Sequence, residues 1–362
     1  MFIKRSSVCD NPEFLESRYI RQTRLPQIGH AGQERLGAAT VLLVGCGALG
    51  CTIAEQLCRA GVGTIRIADR DIVERTNLQR QVLFDESDAD AGLPKPIAAR
   101  QRLLQINSSV RIDARAMDVD ADTIVDLLDA HGSSGPADLI LDGTDNVRTR
   151  YLLNDISVQR GIPWIYGGCV GVEGRVMTIV PGKTACLRCV FPQPPSGDRL
   201  PTCDTAGVLG PAAQIVGALQ AAAAIRYLVD GQFEAALLSF DAWRGRFHSL
   251  DLSEARRQDC ICCGQRQFNF LAAGAGQSAV SLCGRSAVQI RPPRTDRPLD
   301  ISQLAGKLSS VGDVRHSDAF LRCRLHEPAG ISMTIFPDGR ALIHGTNDPA
   351  RAKSIHARFI GA

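Results

Sequence analysis

Four apolar residues, Val41-Leu42-Leu43-Val44, lead without a polar break into Gly45-Cys46-Gly47-Ala48-Leu49-Gly50. The run reads as a strand buried on both faces, and the glycines as a tight turn opening a helix from Ala48 to Arg59. Gly61-Val62-Gly63 then turns the chain into a second strand, Thr64 to Asp69, which completes a βαβ unit. The same alternation continues downstream, with strands at Val110 to Met117, Ala137 to Leu141 and Ile162 to Tyr166 and a helix at Ala121 to Ala130. After Gly167-Gly168-Cys169-Val170-Gly171 comes an alternating segment, Gly174 to Val180, where the sheet is expected to switch to antiparallel. Upstream, residues 1 to 16 form a poorly patterned lead-in, and Ser17 to Leu36 gives short helical pieces broken at Pro26, Gly29 and Gly32.

Alternating strands and helices predict an α/β protein: a Rossmann-like, doubly wound, mostly parallel sheet with an antiparallel extension. Gly274 to Ser278 reads as a linker. Beyond it, strands near Ala287 to Ile290, Phe320 to Arg324, Ser332 to Phe336 and Ala341 to Ile343 join helices at Asp300 to Leu308 and Pro349 to Phe359. The expected organisation is a lead-in (1–16), a nucleotide-binding domain with a metal site (17–272) and a small α+β domain (279–362).

Composition narrows the function. The 362 residues carry a net charge of +3 from 41 basic and 38 acidic side chains. No dense basic block points to nucleic acid. Val208 to Val229 is nearly uncharged, but its Ala, Gly and Gln content fits a buried helix better than a membrane span. The first residues show no apolar stretch ahead of a small-residue cleavage site, so a cytoplasmic location is expected. Thirteen cysteines in such a compartment suggest metal binding or thiol chemistry rather than a disulfide framework.

The glycine turn, Gly45, Gly47 and Gly50, allows a phosphate to approach backbone at a helix N-terminus. Asp69, nineteen residues past Gly50, stands where a carboxylate reaches ribose hydroxyls. An NAD(P)-dependent oxidoreductase shares these features, yet has no evident use for the polar cluster Asp71 to Gln81. Gly92-Leu93-Pro94-Lys95-Pro96 places Lys95 at a helix start, with Pro94 or Pro96 in the first turn; a lysine there opposes the helix dipole, which favours an anion nearby. Asp145, just past the fourth strand, is placed to hold a magnesium ion at phosphates. Cys186 and Cys189, then Cys260 and Cys263 about seventy residues on, have the spacing of a closed four-cysteine zinc site with Cys262 spare; a redox pair or unpaired buried thiols is the other reading. Cys203 sits where a Pro- and Gly-rich loop becomes helix, a position that suits a nucleophilic or an incidental thiol.

Together these segments resemble the ThiF/MoeB/HesA family of E1-like activating enzymes, which adenylate the C-terminal glycine of ubiquitin-fold sulfur carriers (ThiS/MoaD-like). The likeness runs from about Arg18 to Gly264. It rests on RYIRQ (18–22), GCGALG (45–50), ADRDIVERTNLQRQ (68–81), GLPK (92–95), DGTDN (142–146), CDTAGVLGP (203–211) and both cysteine pairs. The resemblance implies that Asp69 binds the ATP ribose, Asn77, Arg80 and Lys95 the phosphates, and Asp145 the magnesium ion. It implies that Arg21 reaches the ATP of a partner subunit, which requires a homodimer, and that Cys203 serves as a catalytic or sulfur-relay thiol beside a sulfur donor. Such carriers serve thiamine, molybdenum cofactor, cysteine and other thiolated products. An E1-like scaffold without activity would have lost charges that remain here at Arg80, Lys95 and Asp145. Some relatives end in a rhodanese domain, but no active-site cysteine loop stands out after residue 275.

Overall fold

The computed structural model describes residues 12–129, 135–194, 206–272, 279–282, 287–291, 299–317 and 320–361. The chain divides into two compact units, residues 1–274 and 275–362. In the first, helices α1 (Pro12–Thr23) and α2 (Gly29–Ala38) precede β1 (Thr40–Val44), α3 (Ala48–Ala60) and β2 (Thr64–Asp69). There follow α4 (Glu86–Ala91), α5 (Lys95–Ile106), β3 (Arg111–Ala116), α6 (Ile124–Asp129), β4 (Leu139–Asp142), α7 (Val147–Arg160), β5 (Trp164–Val170) and β6 (Glu173–Ile179). The unit ends with α8 (Leu187–Val190), α9 (Gly210–Asp230), β7 (Ala236–Asp241), β8 (Arg246–Asp251) and α10 (Asn269–Ala272).

One eight-stranded sheet, ordered β3-β2-β1-β4-β5-β6-β7-β8, organises this unit. The first five strands are parallel and the last three antiparallel. Because β1 lies between β2 and β4, the winding reverses there, and the crevice beyond their carboxyl ends is where such sheets bind ligands. Helices cover both faces, which is why Val41 to Val44 are at most 2% exposed and need no polar alternation. One core joins the sheet to α3, α5 and α9. The other joins it to α6, α7 and the cysteine segments.

Helix α9 is, among the described residues, the one helix long and apolar enough to cross a membrane. Its Ala212, Ala213, Val216, Ala221 and Ala224 lie instead in the core. Its Gln220, fully buried, donates from Nε2 to the carbonyls of Asp142 (2.9 Å) and Ile165 (3.1 Å), fastening β4 to β5. That amide packs over Gly167, where any side chain would collide with it.

The second unit is an antiparallel sheet, β11-β12-β13-β14-β10-β9, with β9 (Ala279–Leu282), β10 (Ala287–Ile290), β11 (Gly312–Ser317), β12 (Phe320–Leu325), β13 (Ser332–Ile335) and β14 (Ala341–His344). Helices α11 (Ile301–Leu308) and α12 (Pro349–Phe359) bring Leu304 and Ile355 into one core with Leu321, Met333 and Ile343.

Several expectations change. Helix α1 begins at Pro12, inside the expected lead-in, and Gly32 lies within α2 rather than ending it. Strand β5 starts at Trp164 and continues through Gly167 and Gly168, because pairing with β6 persists to Val170. The hairpin β7–β8 was invisible to periodicity: β8 is an edge strand with every residue exposed, so no apolar face marks it. Strands β9 and β11 were also missed. The proposed linker 274–278 lies outside the described residues.

At the switch point Gly45 holds φ +90°, and a side-chain carbon there would lie 2.6 Å from the carbonyl oxygen of Gly143. Both conditions bar other residues. Gly45→Ala is expected to cost about 3 kcal/mol or more in urea unfolding, combining left-handed strain with overpacking. Gly161→Ala, at φ +71° with nothing nearby, should cost about 1 kcal/mol; equal losses would show that the close approach contributes nothing.

Candidate active site

The crevice is built from the carboxyl ends of β1, β2 and β4. Gly47 caps the amino end of α3, and a side chain there would meet nothing closer than 3.8 Å. Gly45 and Gly50 are closed by backbone contacts, so Gly47 is the open position of the turn. Asp69, at the end of β2, clamps this turn. Its Oδ2 accepts from the Cys46 N–H (2.6 Å) and its Oδ1 from the Asp71 N–H (2.7 Å). Burial raises its pKa above the usual carboxylate range, with the nearby Lys95 charge opposing that rise.

Lys95 is 2% exposed at the first position of α5. Its N–H donates to the Asp71 carbonyl (2.9 Å), and the neighbouring Val73 N–H donates to Leu93 (2.8 Å), so residues 93–95 run along 71–73. The Lys95 ammonium stands 3.2 Å from the Asp71 carboxylate. The anion expected beside this lysine is therefore supplied, in the protein alone, by Asp71. Sequence reasoning passed over Asp71, although an acid two residues past the strand-ending Asp69 was a visible signal.

Asn77 and Arg80 shape the loop after β2. Asn77 is 1% exposed and its Oδ1 accepts from the Glu74 N–H (3.0 Å), capping a short 3-10 turn over Arg75–Asn77. Arg80 is half-buried, with Nη1 donating to the Thr76 carbonyl (2.8 Å). The carboxamide of Gln81, 3% exposed, lies against Gly47, and its buried Oε1 accepts no hydrogen bond.

At the end of β4, Asp142 is fully buried and Asp145 is exposed. Asp142 accepts from Thr144 N–H (2.9 Å) and Oγ1 (2.8 Å), and pairs with Arg150 Nε at 3.1 Å. Arg150 also donates from Nη2 to the carbonyls of Thr144 (2.6 Å) and Gly167 (3.0 Å), and its guanidinium lies 5.4 Å from the Tyr166 ring centre. One arginine thus ties the Asp145 loop to β5. Burial pulls the Arg150 pKa down, but Asp142, Tyr166 and Asp145 more than offset this and leave it raised. Arg150 was not singled out from sequence, since an arginine inside a helix resembles a solvated one.

Arg21 lies elsewhere. Helix α1 is fastened by Gln22 Nε2 to the Ala60 carbonyl (3.0 Å) and by Tyr19 Oη, which accepts from Asn107 Nδ2 (2.8 Å). Ala60 and Asn107 sit at the carboxyl ends of α3 and α5, about 20 Å along α3 from the glycine turn. Exposed Arg21 is therefore not brought to its own chain's crevice. Cys203 lies outside the described residues. Flanking them, Phe191 accepts from Tyr151 Oη (2.9 Å), and the Gly171 N–H donates to the Gly207 carbonyl (3.0 Å).

The Sγ atoms of Cys186, Cys189, Cys260 and Cys263 lie within 4.8 Å of one another. Separations of 3.8 Å (186–189), 3.6 Å (186–260) and 3.4 Å (189–263) approach the tetrahedral edge of about 3.8 Å set by Zn–S bonds of about 2.3 Å. The four thiols fit a zinc ion. Cys262 stands outside the four, as expected, and accepts a hydrogen bond instead: Asn154 Nδ2 donates to its Sγ at 3.2 Å.

A model described as the ThiF family matches residues 19–262. The chain belongs to the ThiF family. It is 42% identical over 348 residues to the sulfur carrier protein ThiS adenylyltransferase of Bacillus subtilis, a match covering 96% of this chain and all of that one. It is 37% identical to the sulfur carrier protein adenylyltransferase of Thermus thermophilus over 68% of this chain and 90% of that one. Among solved structures, E. coli MccB with ATP is similar at a TM-score of 0.58 and 25% identity, over 68% of this chain and 74% of that one. The sequence reading ended the resemblance near Gly264; the B. subtilis match takes in the second unit as well.

Removing the guanidinium strands Asp142 in a buried, uncompensated state. Arg150→Met is expected to lower the free energy of unfolding by about 3–5 kcal/mol in urea titration, whereas a loss under about 1 kcal/mol would show the pair to be dispensable.

Proposed function

We propose that this protein adenylates the C-terminal glycine carboxylate of a ubiquitin-fold, ThiS/MoaD-like sulfur carrier protein, using ATP and magnesium and releasing pyrophosphate. The observation that carries this reading is the convergence, in one crevice, of an open glycine at a helix N-terminus, a buried lysine and an exposed aspartate on a loop braced by a partly buried arginine. The names borne by the two bacterial relatives support it. Family membership leaves the oxidoreductase reading without support.

The chemistry suits these residue types. A terminal carboxylate, with an unperturbed pKa of about 3.3–3.7, is already an anion at neutral pH and needs no general base. The difficulty is to bring it onto the α-phosphate of a polyanion, which calls for positive charge rather than proton transfer. Lys95 carries three donors, so it can keep Asp71 and still bind a phosphate oxygen. Arg80 and the amide donor of Asn77 face the same loop, and Gly47 leaves room for phosphate at the start of α3. Asp69 uses one lone pair on each oxygen for backbone, which leaves acceptors for ribose hydroxyls. Asp145, exposed and fixed through Thr144 and Arg150, would hold magnesium, which neutralises phosphate charge when bound.

Arg21, remote from its own crevice, is suited to act on the ATP of a second copy, in a homodimer. Cys203 is assigned the sulfur-relay or adduct-forming role toward a sulfur donor. Zinc is assigned a structural role at the four cysteines. A reducing cytoplasm, which keeps four thiols available to a metal, suits this chemistry.

Asp145→Ala and Arg80→Ala should each lower carrier-dependent ATP–pyrophosphate exchange on the order of 100-fold or more, with unchanged exchange in either variant refuting the assignment. Mixing Arg21→Ala with Asp145→Ala subunits, each inactive alone, should regain about a quarter of wild-type sites after random exchange in a two-fold dimer. No recovery from subunits shown to exchange would exclude action in trans.

A further inference from the structure

Helix α7 connects two places otherwise treated apart. Its N-cap, Asn146, accepts from the Thr149 N–H at 3.2 Å, and one turn on Arg150 holds the carbonyls of Thr144 and Gly167. The loop carrying Asp145 is thus fixed to the first turn. The next turn grips the cysteine segments. Asn154, fully buried, accepts the Leu187 N–H at 2.8 Å, between Cys186 and Cys189, and donates to Cys262 Sγ at 3.2 Å, between Cys260 and Cys263. Its neighbour Asp155, also fully buried, accepts the Phe270 N–H at 2.9 Å on Oδ2 and faces Arg188 Nη1 at 3.9 Å on Oδ1. Tyr151 Oη donates to Phe191 just past Cys189.

We infer that Asn154 is a positioning residue that makes the metal centre a brace for the nucleotide site, acting through α7. The inference rests on the reading above that Asp145 serves bound ATP. The two cysteine pairs lie far apart in sequence, and a metal ion is what would hold them as one body. With the pairs joined, a single carboxamide reads both halves at once, one through its oxygen and one through its nitrogen. Release of the metal frees the pairs from each other, so Asn154 can keep at most one partner in place. Between Asn154 and the start of α7 at Val147, two residues past Asp145, stand about two turns of continuous helix, roughly 11 Å, a rigid link with Arg150 partway along it. A shift of α7 at its middle therefore moves the Asp145 loop relative to Asp69 and Lys95 on the neighbouring strands. Such contiguous contacts are the physical route by which one site biases another.

The test uses the full-length zinc-loaded protein, the side-chain replacement Asn154→Leu, and the milder Cys262→Ala, which removes only one of the two Asn154 bonds. Zinc release to a chromogenic chelator is timed, and ATP affinity is titrated at a series of magnesium concentrations. Asn154→Leu should release zinc about 10–100-fold faster, in the range seen when groups supporting metal ligands are removed. It should also need several-fold more magnesium for half-maximal ATP affinity, with Cys262→Ala intermediate in both. Wild-type protein stripped of zinc should show the same higher magnesium requirement and recover when zinc is restored. Wild-type release rates in both variants, or an unchanged magnesium requirement in the stripped protein, would overturn the inference. If Asn154→Leu does not fold, Cys262→Ala and the stripped wild type decide it by the same two readings. Wild-type protein that binds ATP yet shows no carrier-dependent exchange would refute the proposed activity while leaving the coupling to be judged by the binding curves. Wild-type protein that does not bind ATP would overturn both.

Discussion

Where β1 and β4 part, the backbone of Gly45 lies against that of Gly143, and neither position has space for a side-chain carbon. This contact brings the turn after β1 and the loop after β4 to the same spot, so residues about a hundred positions apart can share a ligand. Around it stand the clamp of Asp69 on the Cys46 amide, Lys95 beside Asp71, and the Asp145 loop braced by Arg150. Gly47, by contrast, is needed for what approaches it rather than for what packs on it.

Among the described residues, the two crevice cations mostly out of water, Lys95 and Arg150, do not depend on a ligand for a counter-charge. Lys95 rests on Asp71 and Arg150 on Asp142, each pair mostly out of water. Lone buried charges cost several kcal/mol, on the order that would unfold a marginal domain. Paired in advance, these groups are neutralised without a ligand, and on the proposed reading ATP then needs only a shared ammonium and an exposed carboxylate. That arrangement favours charge neutralisation over acid–base work, in keeping with a nucleophile that is already ionised.

Part of this was legible in the sequence because local rules govern it. An unbroken apolar run before a glycine turn specifies a buried parallel strand, and two cysteine pairs specify a closed metal site whatever lies between them. Lys95 betrayed itself by opposing the helix dipole. Arg150 and Asn154 stayed hidden because their partners lie on other elements: Arg150 meets β4 and β5, and Asn154 meets two segments separated from it by tens of residues. A polar residue on a helix looks solvated until the fold says otherwise. Strand β8 was missed for the converse reason, as all of its residues are exposed and burial never imposed a pattern on it. The B. subtilis match extends over the second unit as well as the first.

The central claim is that the crevice joins AMP to a protein carboxylate. Incubating the protein with ATP, magnesium and purified ubiquitin-fold carriers ending in glycine, then weighing the carriers intact by mass spectrometry, tests it most directly. The account predicts that a carrier gains one AMP at its C-terminal glycine, with one pyrophosphate released for each. Carriers of unchanged mass, with no pyrophosphate formed by a protein that binds ATP, would contradict it.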